Sequence, residues 1–126
     1  MTNSPVIRVM IVDDHPQVRR GLGVFLELWD DFLFVGEADN GEKAVALVEE
    51  LQPHVILMDL VMPVMDGVTA TRIIRHNYPN VQIVVLTSTI DIEVIQEALD
   101  AGAKTYMLKN VTIDTMAKTI RSAASD

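Results

Sequence analysis

The sequence contains no cysteine, which excludes a disulfide scaffold, a thiolate metal site and a cysteine nucleophile. It is also short of positive charge: 10 lysines and arginines stand against 18 aspartates and glutamates, a formal net charge of −8. Non-specific binding to DNA or to an anionic membrane needs a basic patch, so this chain alone is suited to neither. Long hydrophobic runs are missing too. The run Val6 to Val12 is broken by Arg8 and falls far short of the ~20 apolar residues of a membrane span. No basic segment leads into a signal-type apolar stretch at the N-terminus, and no GxxxxGK[ST] loop offers a P-loop nucleotide site. A protein of the reducing cytoplasm is the expectation.

What is present is a globular mixture, 49 % apolar and 22 % charged, which argues against disorder. A chain of this length buries roughly two-thirds of the surface its unfolded form exposes, enough for one core. Short apolar runs (Val6–Val12, Phe32–Ala38, His54–Met58, Val81–Leu86 and Lys104–Leu108) alternate with segments of helical period. Val18, Leu22, Phe25, Leu26 and Trp29 form one helical stripe. Ala44, Leu47, Val48 and Leu51 form another, and Ile113, Met116, Ala117 and Ile120 a third. Punctuation agrees with these boundaries. Pro16 suits a first helical turn, Pro53 and Pro79 follow helical patterns, and Gly102 stands where a left-handed C-terminal cap is expected. Asn40-Gly41 reads as a turn.

The pattern is βα repeated five times, which implies a parallel sheet covered on both faces. Right-handed crossovers leave few topologies, and a flavodoxin-like doubly wound sandwich with strand order 2-1-3-4-5 is the common one at this size. Ligands of such sheets bind beyond the carboxyl ends of the strands, where the strand order reverses. Here that crevice lies between the first and third strands. Asp13 and Asp14 follow the first strand and Asp59 the third, so three carboxylates converge on one rim. Alone they would resist joint ionisation. A hard cation such as Mg²⁺, or Mn²⁺, resolves the repulsion and leaves coordination positions for water and phosphate oxygens. Thr87 follows the fourth strand and Lys109 the fifth. A hydroxyl and an ammonium beside a metal-bound carboxylate are what a transferring phosphoryl group needs around its oxygens. His15 beside Asp14 is read as a helix-start residue, since Mg²⁺ prefers oxygen.

With these residues in place, the chain resembles a bacterial response-regulator receiver domain of the CheY-like kind over essentially its whole length. The resemblance is carried by Val12-Asp13-Asp14-His15, by Leu57-Met58-Asp59-Leu60-Val61-Met62-Pro63-Val64-Met65-Asp66-Gly67, by Leu86-Thr87-Ser88, and by Ala101-Gly102-Ala103 with Tyr106-Met107-Leu108-Lys109. Val35-Gly36-Glu37-Ala38 and Ala70-Thr71-Arg72 further resemble the NarL/LuxR-type subfamily, whose receivers precede a helix-turn-helix DNA-binding domain. Residues 1–126 are then one receiver domain, with any such DNA-binding domain outside this chain.

The resemblance implies that Asp59 is the phosphoacceptor, taking its phosphoryl group from a sensor histidine kinase or a small acyl phosphate. It implies that Asp14 and Asp59 bind Mg²⁺ directly, Asp13 through water, and Val61 by its backbone carbonyl. Lys109 would pair with one phosphoryl oxygen. Thr87 would swing to another, and Tyr106 would turn inward behind it. Homodimerisation on phosphorylation, and DNA contact only through the missing domain, are the implied consequences.

Two departures stand out. Asn110 replaces the proline that often follows the lysine, which removes the ready route to a cis bond there. Position 61 is valine where many receivers carry a polar residue, so slow autodephosphorylation is expected, with Thr89 the remaining nearby hydroxyl. The competing possibility is a Mg²⁺-dependent phosphohydrolase working through an aspartyl phosphate. Its usual acids stand two apart, whereas Asp13 and Asp14 are adjacent.

Overall fold

The structure, a computed structural model, describes residues 6–88 and 90–125. Thr89 lies outside the described residues. Five strands alternate with five helices: β1 (Ile7–Val12), α1 (Pro16–Glu27), β2 (Phe32–Ala38), α2 (Gly41–Leu51), β3 (Val55–Met58), α3 (Gly67–Asn77), β4 (Gln82–Thr87), α4 (Ile92–Asp100), β5 (Thr105–Leu108) and α5 (Ile113–Ser125). All neighbouring strands pair in parallel, in the order β2-β1-β3-β4-β5. This is the doubly wound order read from the sequence.

The apolar runs lack clean alternation because both faces of the sheet are covered. Met10, Val12, Ile56, Met58, Ile83 and Val85 pack under α2, α3 and α4, while Val9, Ile11, Val55, Leu57, Val84 and Leu86 pack under α1 and α5. Successive strand residues thus feed opposite cores, each buried large aliphatic contributing about 1.5–3 kcal/mol. No helix among the described residues is long and apolar enough to cross a membrane.

Local chemistry sets the helix ends. Pro16 opens α1 behind His15. Asn40 does not form a free-standing turn with Gly41 but caps α2, its side chain accepting from the Lys43 N–H at 2.9 Å. Gly102, at φ +119°, ends α4 as expected. Its N–H reaches the Leu99 carbonyl at 3.0 Å and the Ala103 N–H reaches that of Ala98 at 3.0 Å, the paired bonds of a Schellman motif.

Two apolar stripes are shorter than the sequence suggests. Trp29 lies past the end of α1, where its ring packs on Phe32 beneath the Arg121 guanidinium, 4.8 Å away. Ile113 opens α5 but is exposed, and Met116, Ala117, Ile120 and Ala123 form the buried face instead.

β2 carries one irregularity in its pairing with β1. Val9 of β1 pairs with Phe34, but the next residue, Met10, pairs with Gly36, so Val35 is an inserted residue. Phe34 packs on the α1 side and Val35 on the α2 side. Gly36 then admits Leu51 of α2, whose Cδ1 would stand 2.6 Å from any Cβ there.

Candidate functional site

Parallel pairing of β1 with β3 brings the acids together. The Asp59 N–H continues the ladder onto the Val12 carbonyl at 2.9 Å, and the Asp13 N–H binds the Ala38 carbonyl of β2 at 3.1 Å. Both aspartates therefore leave their strands at the same level, and both are buried. Lys109 follows β5, its N–H bound to the Thr87 carbonyl at 2.9 Å. From there its stem crosses the end of β4 and delivers Nζ to Asp13 Oδ2 at 2.6 Å and to Asp59 Oδ2 at 3.6 Å.

The oxygens of these carboxylates are unequally occupied. Asp13 Oδ1 accepts the His15 N–H at 2.8 Å and lies 3.0 Å from the His15 ring Nδ1, while Oδ2 takes Lys109. Asp59 Oδ1 accepts the Leu60 N–H at 2.9 Å. Asp14 Oδ1 is buried and lies 3.1 Å from His15 Nδ1, yet the contact is not a hydrogen bond and no donor among the described residues satisfies it. An orphaned buried carboxylate oxygen is costly unless something positive reaches it. One ligand atom each from Asp13, Asp14, His15 and Asp59 lies within 4.8 Å of the others. The three carboxylates of this group offer only oxygen and fit a hard divalent cation, and the oxygens that lack N–H donors among the described residues belong to Asp14 and Asp59. His15 keeps its expected place at the head of α1. Its contact with both acids was not foreseen.

Burial pushes the Asp59 carboxyl above its usual range, and the Asp13 charge adds to this. The Lys109 ammonium and the Leu60 N–H pull it back, and Asp14 pushes it up again.

Thr87 is the last residue of β4 rather than the residue after it, and is buried. Tyr106 sits on the edge strand β5 with 46 % of its surface exposed. Val85 pairs with Tyr106 and Thr87 with Leu108, so Thr87 and Tyr106 share one face of the sheet. Val61 lies two residues past Asp59 with its side chain exposed. No peptide bond among the described residues is cis, including the one joining Lys109 to Asn110.

The loop that carries Asp59 is shaped by features the sequence shows only indirectly. Gly67 opens α3 directly against the Asp59 backbone: a Cβ there would fall 2.0 Å from the Asp59 carbonyl oxygen. Its N–H closes the loop on the Leu60 carbonyl at 2.9 Å. Glycine is a poor helix former, so its place in a first helical turn after Asp66 was the available signal. Val64 has φ +69°, and the Met65 N–H bonds the Pro63 carbonyl at 2.7 Å across it. That is a strained γ-turn for a β-branched residue. The Met65 carbonyl then receives the Gly41 N–H at 2.9 Å, pinning the loop to α2.

Fold and pocket together define a class: a flavodoxin-like α/β domain whose switch point holds three carboxylates and a lysine. The family model for the response regulator receiver domain matches residues 9–121, and the chain belongs to that family. Receiver domains are the signalling modules of two-component response regulators, not enzymes in their own right, and they imply a cognate histidine kinase. Membership sets aside the phosphohydrolase alternative.

The transcriptional regulatory protein LiaR of Bacillus subtilis is 45 % identical over 119 residues, which are 94 % of this chain and 56 % of LiaR. The response regulator protein VraR of Staphylococcus aureus is 41 % identical over 118 residues, with the same coverages of 94 % and 56 %. The chain thus spans about half the length of these curated relatives. Among solved structures, the receiver domain of the NarL regulator from Mycobacterium tuberculosis superposes with a TM-score of 0.91 at 30 % identity, covering 97 % of this chain and 98 % of that one.

Proposed function

We propose that this chain is a phosphoryl-accepting switch in which Asp59 is the acceptor, Lys109 and Thr87 bind the transferred group, and Tyr106 follows Thr87. The observation that carries this reading is a buried Asp59 carboxylate held within 3.6 Å of the Lys109 ammonium, beside an Asp14 oxygen that no donor among the described residues satisfies. An Asp59 oxygen attacks phosphorus of a kinase phosphohistidine. The P–N bond breaks, its electron pair returns to the imidazole, and an acyl phosphate remains. Lys109 offsets charge on one phosphoryl oxygen and the Thr87 hydroxyl donates to another. Asp14 and Asp59, with Asp13 through water and the Val61 backbone carbonyl, would hold Mg²⁺, which would supply positive charge to offset that of the nucleophile and the phosphoryl group.

Lys109 exchanges Asp13 for the phosphoryl oxygen, so its net gain is small. The contact that differs most between the two states is that of Thr87, whose hydroxyl exchanges its present surroundings for a charged oxygen. A hydrogen bond to a charged group contributes about 1.5–3 kcal/mol, which moves a two-state equilibrium by roughly one to two powers of ten. Phosphorylation therefore biases the switch, and homodimerisation or an output domain completes it. The relatives' names, LiaR as a transcriptional regulatory protein above all, support transcription regulation through a DNA-binding domain outside this chain. Work in the cytoplasm and donation by one sensor kinase belong to the same proposal.

The test is incubation with acetyl phosphate and Mg²⁺ followed by intact mass measurement. One labile phosphoryl adduct, abolished by chelation and by Asp59→Asn, supports the reading. Continuous phosphate release from many esters, with no adduct, contradicts it.

A further inference from the structure

Arg19 is anchored at two points that meet at the acidic loop. From α1 its Nη1 donates to the backbone carbonyl of Asp13 at 2.7 Å, and its Nε donates to Glu37 Oε1 of β2 at 2.6 Å. The Asp13 N–H is bound to Ala38, the residue next to Glu37. Both polar groups of the Asp13 backbone are therefore tied to the end of β2, one directly and one through a charged fork. The bulge at Val35 makes this arrangement available. In a regular strand alternation from Phe34 would turn Gly36 to the α1 side and Glu37 to the α2 side; the bulge sets Val35 and Gly36 both towards α2, which returns Glu37 to the α1 side. The Arg19 side chain is only 16 % exposed and its bond to the Asp13 carbonyl is part-buried, while the Glu37 side chain is 46 % exposed.

We propose that Arg19 is a positioning residue: braced by Glu37, it fixes the Asp13–Asp14 peptide so that the Asp14 carboxylate is preorganised for a divalent cation. This rests on the reading of the acidic pocket given above. A guanidinium suits the task because its rigid fork presents two donors at a fixed angle, which an ammonium does not. Partners that orient ligating groups from outside typically contribute 10- to 100-fold to metal affinity.

The experiment titrates Mn²⁺ into the chain and follows loss of the free-ion paramagnetic resonance signal. In parallel, the rate of acetyl phosphate labelling is measured across Mg²⁺ concentrations. Arg19→Ala is expected to weaken Mn²⁺ binding about ten-fold. Its Mg²⁺ requirement should rise by the same factor, while the rate at saturating Mg²⁺ changes little. Glu37→Ala should weaken binding by a smaller factor, and the double variant should bind no worse than Arg19→Ala alone. Glu37→Gln, which keeps an acceptor for Arg19, should recover most of the loss. Should Arg19→Ala fail to fold, Arg19→Lys keeps the stem and charge without the fork and is expected to shift binding the same way. Mn²⁺ affinity unchanged in a folded Arg19 variant, or strictly additive effects of the Arg19 and Glu37 changes, overturns the proposal. If the unaltered chain binds no Mn²⁺ at all, the metal reading fails and takes this proposal with it.

Discussion

A single methyl group at Gly67 tests the geometry of the pocket sharply. A Cβ there would lie 2.0 Å from the Asp59 carbonyl oxygen and 2.9 Å from the Leu60 Cα. The atoms must part by about 1 Å to reach even a tight nonbonded contact, and more to reach the optimum. Only backbone stands in the way, so no flexible side chain can yield. Overpacking of this kind costs about 1–3 kcal/mol, and displacement of a reacting group by ~1 Å costs on the order of 100-fold in rate. Gly67→Ala should therefore lose ~2–3 kcal/mol of stability and label with acetyl phosphate roughly 100 times more slowly. Gly21→Ala is the matched control: it lies within α1, and beyond its own helix backbone and chain neighbours no atom of the described residues stands within 4 Å of its added Cβ. Alanine is preferred to glycine in a helix by about 0.5–1 kcal/mol, so this variant should gain that much and label at the normal rate. Urea unfolding and timed intact-mass measurements on both variants decide the matter. A Gly67→Ala protein as stable and as quickly labelled as the unaltered chain would refute the packing of α3 against the Asp59 backbone.

Val64→Asn should relieve the γ-turn and raise stability by about 1 kcal/mol, since a β-branched residue at positive φ carries a penalty of roughly that size or more; a melting temperature that does not rise counts against strain at Val64. The buried hydroxyl of Thr71 has no hydrogen-bond partner among the described residues, so Thr71→Val should be neutral or stabilising by up to ~1 kcal/mol. A loss larger than that in urea unfolding contradicts the assignment. With its carboxyl raised above the usual range, Asp59 binds a proton more tightly in the folded chain than in the unfolded one, so stability declines as pH climbs through that range. Without divalent ions, Asp59→Asn should therefore be more stable than the unaltered chain at neutral pH, and the advantage should vanish below about pH 4. A pH-independent advantage is the contrary result. Val61→Asn places an amide able to orient water near the acyl phosphate and should shorten the phospho-Asp59 lifetime several-fold; an unchanged half-life removes the basis for slow autodephosphorylation.

The sheet was legible because strands buried on both faces and amphipathic helices leave different apolar periods, and those periods are local. From strand order alone, the ends of β1 and β3 had to be neighbours, which was enough to bring Asp13 and Asp59 together. Contacts that depend on rotamers across a loop left no such trace. Arg19 looks like any polar residue on α1, and nothing in its spacing points to the Asp13 carbonyl. The Val35 bulge that aims Glu37 at it is a single inserted residue in a run of seven, too small to disturb the strand pattern. Trp29 fell on the helical stripe because its apolar spacing continued after α1 had ended. The sign of φ at Val64 was unreadable, since valine is among the residues least suited to that conformation and the closing of the loop by Gly67 and Met65 imposes it.

The most direct test of the central claim is chemical mapping of the phosphorylated residue. The chain is treated with acetyl phosphate and Mg²⁺, reduced with borohydride, digested and sequenced by mass spectrometry. An acyl phosphate at Asp59 is reduced to the alcohol, so homoserine at position 59, absent without Mg²⁺, is the predicted result. Homoserine at Asp13 or Asp14, or a phosphoryl group that survives reduction on another residue, would contradict it.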